Sequence, residues 1–419
     1  MKTEEYDIAV IGAGAAGLAA AAETAAAGRS TLVIDREDHA GGILRQCIHN
    51  GFGLRYFKEE LTGPEYAERV TLKAKEAGAA FALGCTVTEL TKRNDGSFEL
   101  LLLSGTDGVR HIRARAVILA MGCRERSRGN LAIPGTRPAG IFTAGAAQKL
   151  LNLEGMLPGR SAVIVGSGDI GLIMARRLRW CGIEVKAVIE IMPHPSGLTR
   201  NIVQCLNDFN IPLYLEHSVV RISGKDRVEG IDAALLENGT PNLEKQFHIA
   251  CDTVLFSVGL IPENELAVNA GVELNPATGG AMVDANYETN VPGIFSAGNV
   301  LHVHDLVDFV SEEAARAAKM VLRRLDGEEA PERLPARAGA NLKYIVPRWY
   351  FRNRKTVFSF RPLIVSNNGE LTAEVDGRVV WKRRIPFVRP AEMITAELDA
   401  DQLAGNGELI FNLQEGETI

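Results

Sequence analysis

Residues 6–35 read YDIAVIGAGAAGLAAAAETAAAGRSTLVID, and the architecture follows from this stretch. Tyr6 to Ile11 is a short apolar run of the kind that makes a buried strand. Gly12-Ala13-Gly14-Ala15-Ala16-Gly17 comes next, then an alanine-rich helix to about Ala27, then a second strand, Thr31 to Ile34, that ends in Asp35. A strand, GxGxxG, a helix, a strand and an acid in this order are the fingerprint of a dinucleotide-binding βαβ unit. Each residue type has a task. Gly12 makes the tight turn, Gly14 lets the backbone approach a pyrophosphate, and Gly17 lets the helix pack closely on the strand. The unpaired N–H groups at the helix start, beside Ala15 and Ala16, favour an anion, and the Asp35 carboxylate can accept bonds from ribose hydroxyls.

The unit occurs twice. Residues 161–190, SAVIVGSGDIGLIMARRLRWCGIEVKAVIE, repeat the order with Gly166-Ser167-Gly168-Asp169-Ile170-Gly171 as the turn and Glu190 as the acid. After each copy the pattern turns to alternating strands. Cys85 to Ala120 is broken by Asn94-Asp95-Gly96 and Thr106-Asp107-Gly108. Ser218 to Ile222, Gly230 to Leu236 and Phe247 to Val258 are broken by Asn238-Gly239. Asn-Gly and Asp-Gly pairs are hairpin formers, so a three-stranded antiparallel meander is expected in each half. Pro64 to Gly78 reads as a helix, as does Glu312 to Leu325. Residues 340–419 alternate apolar and polar and predict a small β-sandwich-like domain behind a polar stretch at 326–332. The predicted fold class is α/β: two Rossmann-type three-layer domains, each with a meander, plus a small C-terminal β domain. Boundaries are set at 1–123 with 253–330 for the first domain, 124–252 for the second and 338–419 for the third.

Three further motifs carry a family resemblance. Ala116 to Gly122 (AVILAMG) and Asp252 to Asn264 (DTVLFSVGLIPEN) resemble the two crossover segments of pyridine nucleotide-disulfide oxidoreductase-type flavoproteins, and Asp284 to Val300 (DANYETNVPGIFSAGNV) resembles their closing motif. The resemblance implies FAD at the first loop, served by Gly12, Gly14, Ala15, Ala16, Gly17, Asp35, Arg36, Gly41, Gly42, Ala120, Gly122, Gly298 and Asn299. It implies NAD(P)H at the second, served by Gly166, Gly168, Asp169, Ile170, Gly171, Glu190 and Gly259. The negative charge of Glu190 predicts NADH over NADPH, since it would repel a 2′-phosphate, and Arg200 is the first arginine beyond it. The chain departs from the family twice. Asn299 stands where an aspartate usually bonds the flavin side chain. Leu44 and His49 stand where a redox cysteine pair is expected, so no dithiol chemistry is expected there. Cys47 and His49 remain flavin-proximal candidates, with a plain buried thiol as the simpler reading of Cys47.

The stretch GGILRQCIHNGFG (41–53), with CRERSRGNLAIPGTRPAGIFTAG (123–145) and SGDIGLIMARRL (167–178), is similar to a narrower group. These are FAD/NAD(P) subunits that accompany sarcosine-oxidase, hydrogen-cyanide-synthase, opine or proline dehydrogenase and anaerobic glycerol-3-phosphate dehydrogenase assemblies. The resemblance implies electron transfer beside a dehydrogenase subunit that serves as partner. One alternative is a self-sufficient NADH oxidase or small-molecule reductase, and another is a nucleotide-sensing interaction protein. The run Arg348 to Lys355 (RWYFRNRK) is a candidate docking surface, against the reading that it is a strand packed on the core.

The remaining signals exclude more than they assign. A net charge of −6 leaves no overall positive field for nucleic acid or anionic lipid. Six cysteines without a CxxC fit neither a disulfide framework nor a zinc site. The apolar run from Ile8 to Ala27 has an acidic lead-in and is broken by glycines, so no signal or membrane segment is expected and the protein is read as cytoplasmic. His302, His304, Asp305 and Asp308 hint at a metal, but no third cluster in the sequence completes a site; a turn and helix cap is expected there, and no metal.

Overall fold

The computed structural model describes residues 3–329 and 331–416. The chain divides into two compact units, one formed by Met1–Cys123 with Pro262–Ile419 and the other by Arg124–Ile261. The architecture is α/β with a C-terminal β region.

In the first unit one sheet joins the nucleotide-binding half and the meander. Its order is 80–82, 31–34, 3–11, 108–119, 98–104, 85–92, with Ile294–Ser296 paired to the far end of 108–119. The long strand Gly108–Leu119 makes this continuity possible. It runs parallel to Thr3–Ile11 from His111 to Leu119, while its first half pairs antiparallel with Phe98–Ser104. Strand Thr31–Ile34 is buried at every position, as a parallel strand covered on both faces must be. Helix Ala15–Ala26 packs on that sheet through alanines because its backbone lies close. A Cβ on Gly17 would sit 1.8 Å from the Gly12 carbonyl oxygen. Helix Gly63–Glu76 begins at a capping box in which Thr62 and Glu65 satisfy one another's backbone N–H groups.

The second unit has a five-stranded parallel sheet, in the order 141–143, 253–256, 161–165, 184–189, 213–214, and a separate three-stranded meander, 217–224, 228–237, 240–250. Here the sequence-based reading is corrected. The expected single strand Phe247 to Val258 is two strands. Thr240–Ala250 ends the meander, and Thr253–Phe256 crosses into the parallel sheet between Ile141–Thr143 and Ser161–Val165. No glycine or proline lies between Phe247 and Val258, so no turn residue marks the break at Cys251-Asp252. The unit boundary therefore lies after Ile261, not after Asp252.

The C-terminal region is a sandwich of a five-stranded sheet, 349–351, 333–338, 409–415, 369–375, 378–385, and a three-stranded sheet, 342–346, 356–362, 394–398. Phe358, Phe360 and Phe411 fill the space between them, with ring centroids 4.5 to 6.5 Å apart. It starts at Arg333, five residues before the predicted boundary, because Arg333–Ala338 pairs with both Trp349–Phe351 and Leu409–Glu415. The region is tied into the first unit. Arg333 pairs with the fully buried Asp284, and Arg361 donates to both Asp305 oxygens and to the carbonyls of Val303 and Ala391. The run at 348–355 is corrected as a docking surface. Tyr350 and Phe351 are fully buried, and the Tyr350 hydroxyl donates to the Gly407 carbonyl, so these two rings are core while Trp349 is half-buried.

Candidate nucleotide sites

The two glycine loops are alike atom for atom. Gly12 N–H donates to the Ile34 carbonyl at 2.7 Å, and Gly166 N–H donates to the Ile189 carbonyl at 2.7 Å. Both glycines have positive φ, +110° and +92°. A Cβ would fall 2.3 Å from the Ala120 oxygen in one and 2.1 Å from the Ser257 oxygen in the other, so only glycine fits either turn. The acids are used identically. Asp35 accepts from the backbone N–H of Ala13 at 2.6 Å and of Glu37 at 2.9 Å, and Glu190 accepts from Ser167 at 2.9 Å and Met192 at 3.0 Å. Each carboxylate thus binds the middle residue of its own GxG and the residue two places beyond itself. Chemically, this locks the loop to the end of the second strand before any ligand is present.

The loops differ in what lies over them. Gly14, the N-cap of helix Ala15–Ala26, has extended backbone, no side-chain cap and no acid in the first turn, and nothing lies within 4 Å of where a Cβ would be. Uncapped N–H groups facing open space suit a diphosphate, so the residues present fit FAD. Gly41 and Gly42 border this space. Gly41 N–H donates to the Ala13 carbonyl, and a Cβ on Gly42 would come within 3.1 Å of the Gly14 Cα. Ala15 and Ala16 form the buried first turn of the helix, Arg36 is exposed, and Ala120 and Gly122, the latter with φ of +72°, lie just past the strand end at Leu119.

The second loop is more enclosed. Ser257 Oγ accepts from Gly171 N–H at 3.0 Å. Asp169 is turned aside to accept from Leu198 N–H and Asn201 Nδ2 at the start of helix Thr199–Cys205, while Ile170 is half-buried and Gly259 exposed. Glu190 is 4% exposed, and its Oε2 also takes the hydroxyls of Ser167 and Ser196. Ser167, Ser196 and Ser257 were not singled out from the sequence; a serine in a loop carries no signal until the partner is known.

At Gly41–His49 a short 3₁₀ turn covers Gly42–Gln46. Cys47 donates to the Ile43 carbonyl, and burial pushes its thiol up to about 12, so it is protonated at neutral pH. His49 stacks at a tilt on Phe52 and its Nδ1 lies 3.0 Å from the Asn50 carbonyl.

The closing segment carries the groups that sequence reading left unassembled. Asn299 Oδ1 accepts from His304 N–H, and its Nδ2 donates to Cys123 Sγ. The closing helix starts at Val307, five residues before the expected Glu312, and neither histidine caps it. Asp308 instead accepts from the N–H groups of Gly53, Arg55 and Tyr56. His302 and His304 meet Glu313, one and a half turns into the helix, which accepts from Gly298 N–H through Oε1. Glu313 is thus the third side chain that the sequence did not supply. The three ligand-capable atoms lie within 4.8 Å of one another, but His302 Nε2 and Glu313 Oε2 are only 2.8 Å apart. A tetrahedral ion with bonds of about 2.0–2.2 Å would hold them about 3.3 Å apart, so this spacing is that of a direct hydrogen bond. Burial alone would raise the Glu313 carboxyl; the two imidazoles outweigh it and hold it well below the usual carboxylate range, whereas burial lowers His302.

The family model described as pyridine nucleotide-disulphide oxidoreductase matches residues 6–320. One subunit of the opine oxidase of Agrobacterium tumefaciens is 26% identical over 332 residues, covering 70% of this chain and 61% of that one. HcnB, from the hydrogen cyanide synthase of Pseudomonas protegens, is 26% identical over 312 residues, covering 70% and 65%. The chain therefore spans less than two thirds of both. The crystal structure of T. acidophilum thioredoxin reductase superposes with a TM-score of 0.63 at 24% identity, over 77% of this chain and 99% of that one. No helix among the described residues is long and apolar enough to cross a membrane.

Proposed function

Because the chain belongs to the pyridine nucleotide-disulphide oxidoreductase family, and is with it an FAD-dependent oxidoreductase, we propose that it passes hydride between a nicotinamide dinucleotide at the second loop and FAD at the first, as the electron-transfer subunit of a larger dehydrogenase. The observation that carries this reading is the doubled loop: two glycine turns of the same geometry, each locked to an acid, in a chain with Leu44 and His49 where a redox pair would stand. Without a dithiol, electrons must leave the flavin for an acceptor outside this chain. The bound cofactors supply the hydride and electron chemistry, and the protein supplies binding, orientation and charge. Gly12, Gly14, Gly17 and the start of helix Ala15–Ala26 would bind the FAD diphosphate, with Asp35 toward its ribose. Gly298 and Asn299 would face the flavin side chain, with Asn299 oriented by His304 N–H. Gly166, Gly168 and Gly171 would bind the second dinucleotide. Glu190 favours NADH by its charge, although the two serine hydroxyls leave it less free for ribose than Asp35.

The reading as one component of a larger assembly is supported by relatives whose names are those of subunits. It is tested by purification from the native host and by turnover of the isolated chain. Fast flavin reduction by NADH, rapid dye reduction, slow oxygen consumption and co-purification of a second chain are expected, with the complex in the cytoplasm. Rapid oxygen turnover by a chain that purifies alone would favour the self-sufficient oxidase instead.

A further inference from the structure

Behind the Gly298–Asn299 turn, two imidazoles converge on one buried carboxylate oxygen, and their hydrogens can be counted. His302 and His304 side chains are 0% and 1% exposed and Glu313 is 2% exposed. His304 Nδ1 lies 3.0 Å from the His302 carbonyl oxygen, which can only accept, so that nitrogen carries the hydrogen. In the neutral ring Nε2 is then a bare lone pair, and it faces Glu313 Oε2 at 3.5 Å. His302 reaches the same oxygen at 2.8 Å and donates through Nε2, since its Nδ1 has no partner. With His304 neutral, one position in the cluster lacks a proton: the gap between His304 Nε2 and Glu313 Oε2, where two acceptors then face each other.

The surrounding charges do not fill this gap. From the same helix Arg316 approaches Glu313, but its Nε donates to the Tyr287 hydroxyl. From strand Thr356–Pro362 Arg361 faces His302 and Tyr344, but it is held by Asp305. Glu312, beside Glu313, pairs outward with Arg55. Tyr344, from strand Leu342–Val346, lies with its ring 6.0 Å from that of His302. The cluster has three direct hydrogen bonds to the closing turn: Gly298 N–H to Glu313 Oε1 at 2.8 Å, His304 N–H to Asn299 Oδ1 at 3.0 Å, and His302 N–H to the Gly298 carbonyl at 3.2 Å.

We propose that His304, Glu313 and His302 form a buried proton seat that fills when a flavin held at the Gly298–Asn299 turn gains a hydride. The proposal rests on the FAD reading above. The nicotinamide gives up two electrons and one hydrogen as hydride, which leaves oxidised nicotinamide and one added negative charge on the flavin. One proton from solvent then forms the N–H bond at His304 Nε2, and the new imidazolium is hydrogen-bonded to Glu313. The proton count rises by one without any proton going to the flavin. In a water-poor interior a charge added beside the turn is opposed strongly, and a nearby acceptor that takes up a proton offsets it. His302 and Glu313 act as positioning residues.

The test is a proton count on the FAD-loaded protein. An anaerobic, weakly buffered sample with a pH indicator is reduced with one equivalent of NADH, and flavin bleaching and indicator absorbance are read together. Hydride transfer alone consumes no solvent proton, so the expected result is uptake of about one proton per flavin reduced, with the reduced flavin showing the absorption of its anion, and about none in His304→Gln. Bleaching without uptake in the wild type overturns the proposal, whether or not the variant folds. Uptake unchanged in His304→Gln, or uptake with the absorption of a neutral reduced flavin, also overturns it. A protein that holds no FAD, or that NADH does not bleach, defeats the functional reading instead.

Discussion

Replacing Gly14 with valine separates binding from folding more cleanly than any other change in the glycine loops. The backbone at Gly14 has φ −80° and ψ −174°, which valine adopts without strain, and no protein atom lies within 4 Å of the new Cβ. Valine is a poorer N-cap than glycine by up to about 1 kcal/mol, and the loss of glycine's freedom in the unfolded chain returns about 0.4–1 kcal/mol. The apoprotein should therefore unfold within about 1 kcal/mol of wild type in urea. The ligand has no such latitude. Branched methyls in the space over the helix start push a diphosphate away from the N–H groups, and each charge-assisted bond lost costs about 1.5–3 kcal/mol. Two lost bonds lower FAD affinity by more than about 100-fold. Gly12→Ala is the contrasting control: its Cβ would overlap the Ala120 carbonyl at a φ of +110°, so that variant should fail to fold. The assay pairs urea unfolding of stripped protein with FAD titration followed by flavin fluorescence. If Gly14→Val binds FAD within about tenfold of wild type, the diphosphate does not pass over Gly14 and the reasoning is wrong.

Other changes test other links. Because burial holds the Cys47 thiol near 12, no long-wavelength thiolate–flavin band should appear on reduction between pH 7 and 9. A band that vanishes in Cys47→Ser would refute this. Glu190→Ala should narrow the preference for NADH over NADPH in rapid-mixing reduction of the flavin. It should also lower the stability of the second unit by about 1–3 kcal/mol, because the Ser167 N–H is left buried without its acceptor; unchanged thermal unfolding would contradict the hydrogen bonding described. Arg361→Ala strands Asp305 among buried neighbours and removes four hydrogen bonds, so a loss of about 3–5 kcal/mol and faster proteolysis within residues 333–416 are expected. A melting curve identical to wild type would show that this joint holds nothing.

Acid unfolding gives a signed test of the histidine–carboxylate cluster. Glu313 titrates lower in the folded than in the unfolded chain, so its contribution to stability is present above the unfolded carboxyl range of about 4.3 and is lost as pH falls below it. Glu313→Gln should be less stable than wild type near neutrality, with a gap that closes as the medium is acidified; a gap constant with pH would rule out an ionised Glu313.

The nucleotide-binding units are local objects, and the sequence alone determined them. Strand Thr31–Ile34 has its expected bounds, because it ends in an acid and is buried at every position, and the repeat at 161–190 places its glycine turn and acid in the same order. The glycines at 12, 17 and 166 are dictated by contacts within a few residues or by a positive φ, which a linear motif can encode. Whatever depends on two distant segments meeting was left to the tertiary structure. The crossing of Thr253–Phe256 into the parallel sheet is set by its partners at 141–143 and 161–165, and no glycine or proline marks the break before it. Tyr350 and Phe351 read equally well as a docking surface or as core until the sandwich buries them. Glu313 looks like one more acid on a helix, and nothing in its spacing from His302 or Gly298 distinguishes it from Glu312, which faces out to Arg55. Only the angle at which the closing helix leaves the turn at Gly298 selects which of the two carboxylates is buried against the histidines. That angle is fixed by packing against helix Ala15–Ala26 and the sheet, where a Cβ on Gly298 would already sit 2.7 Å from the Ala16 methyl.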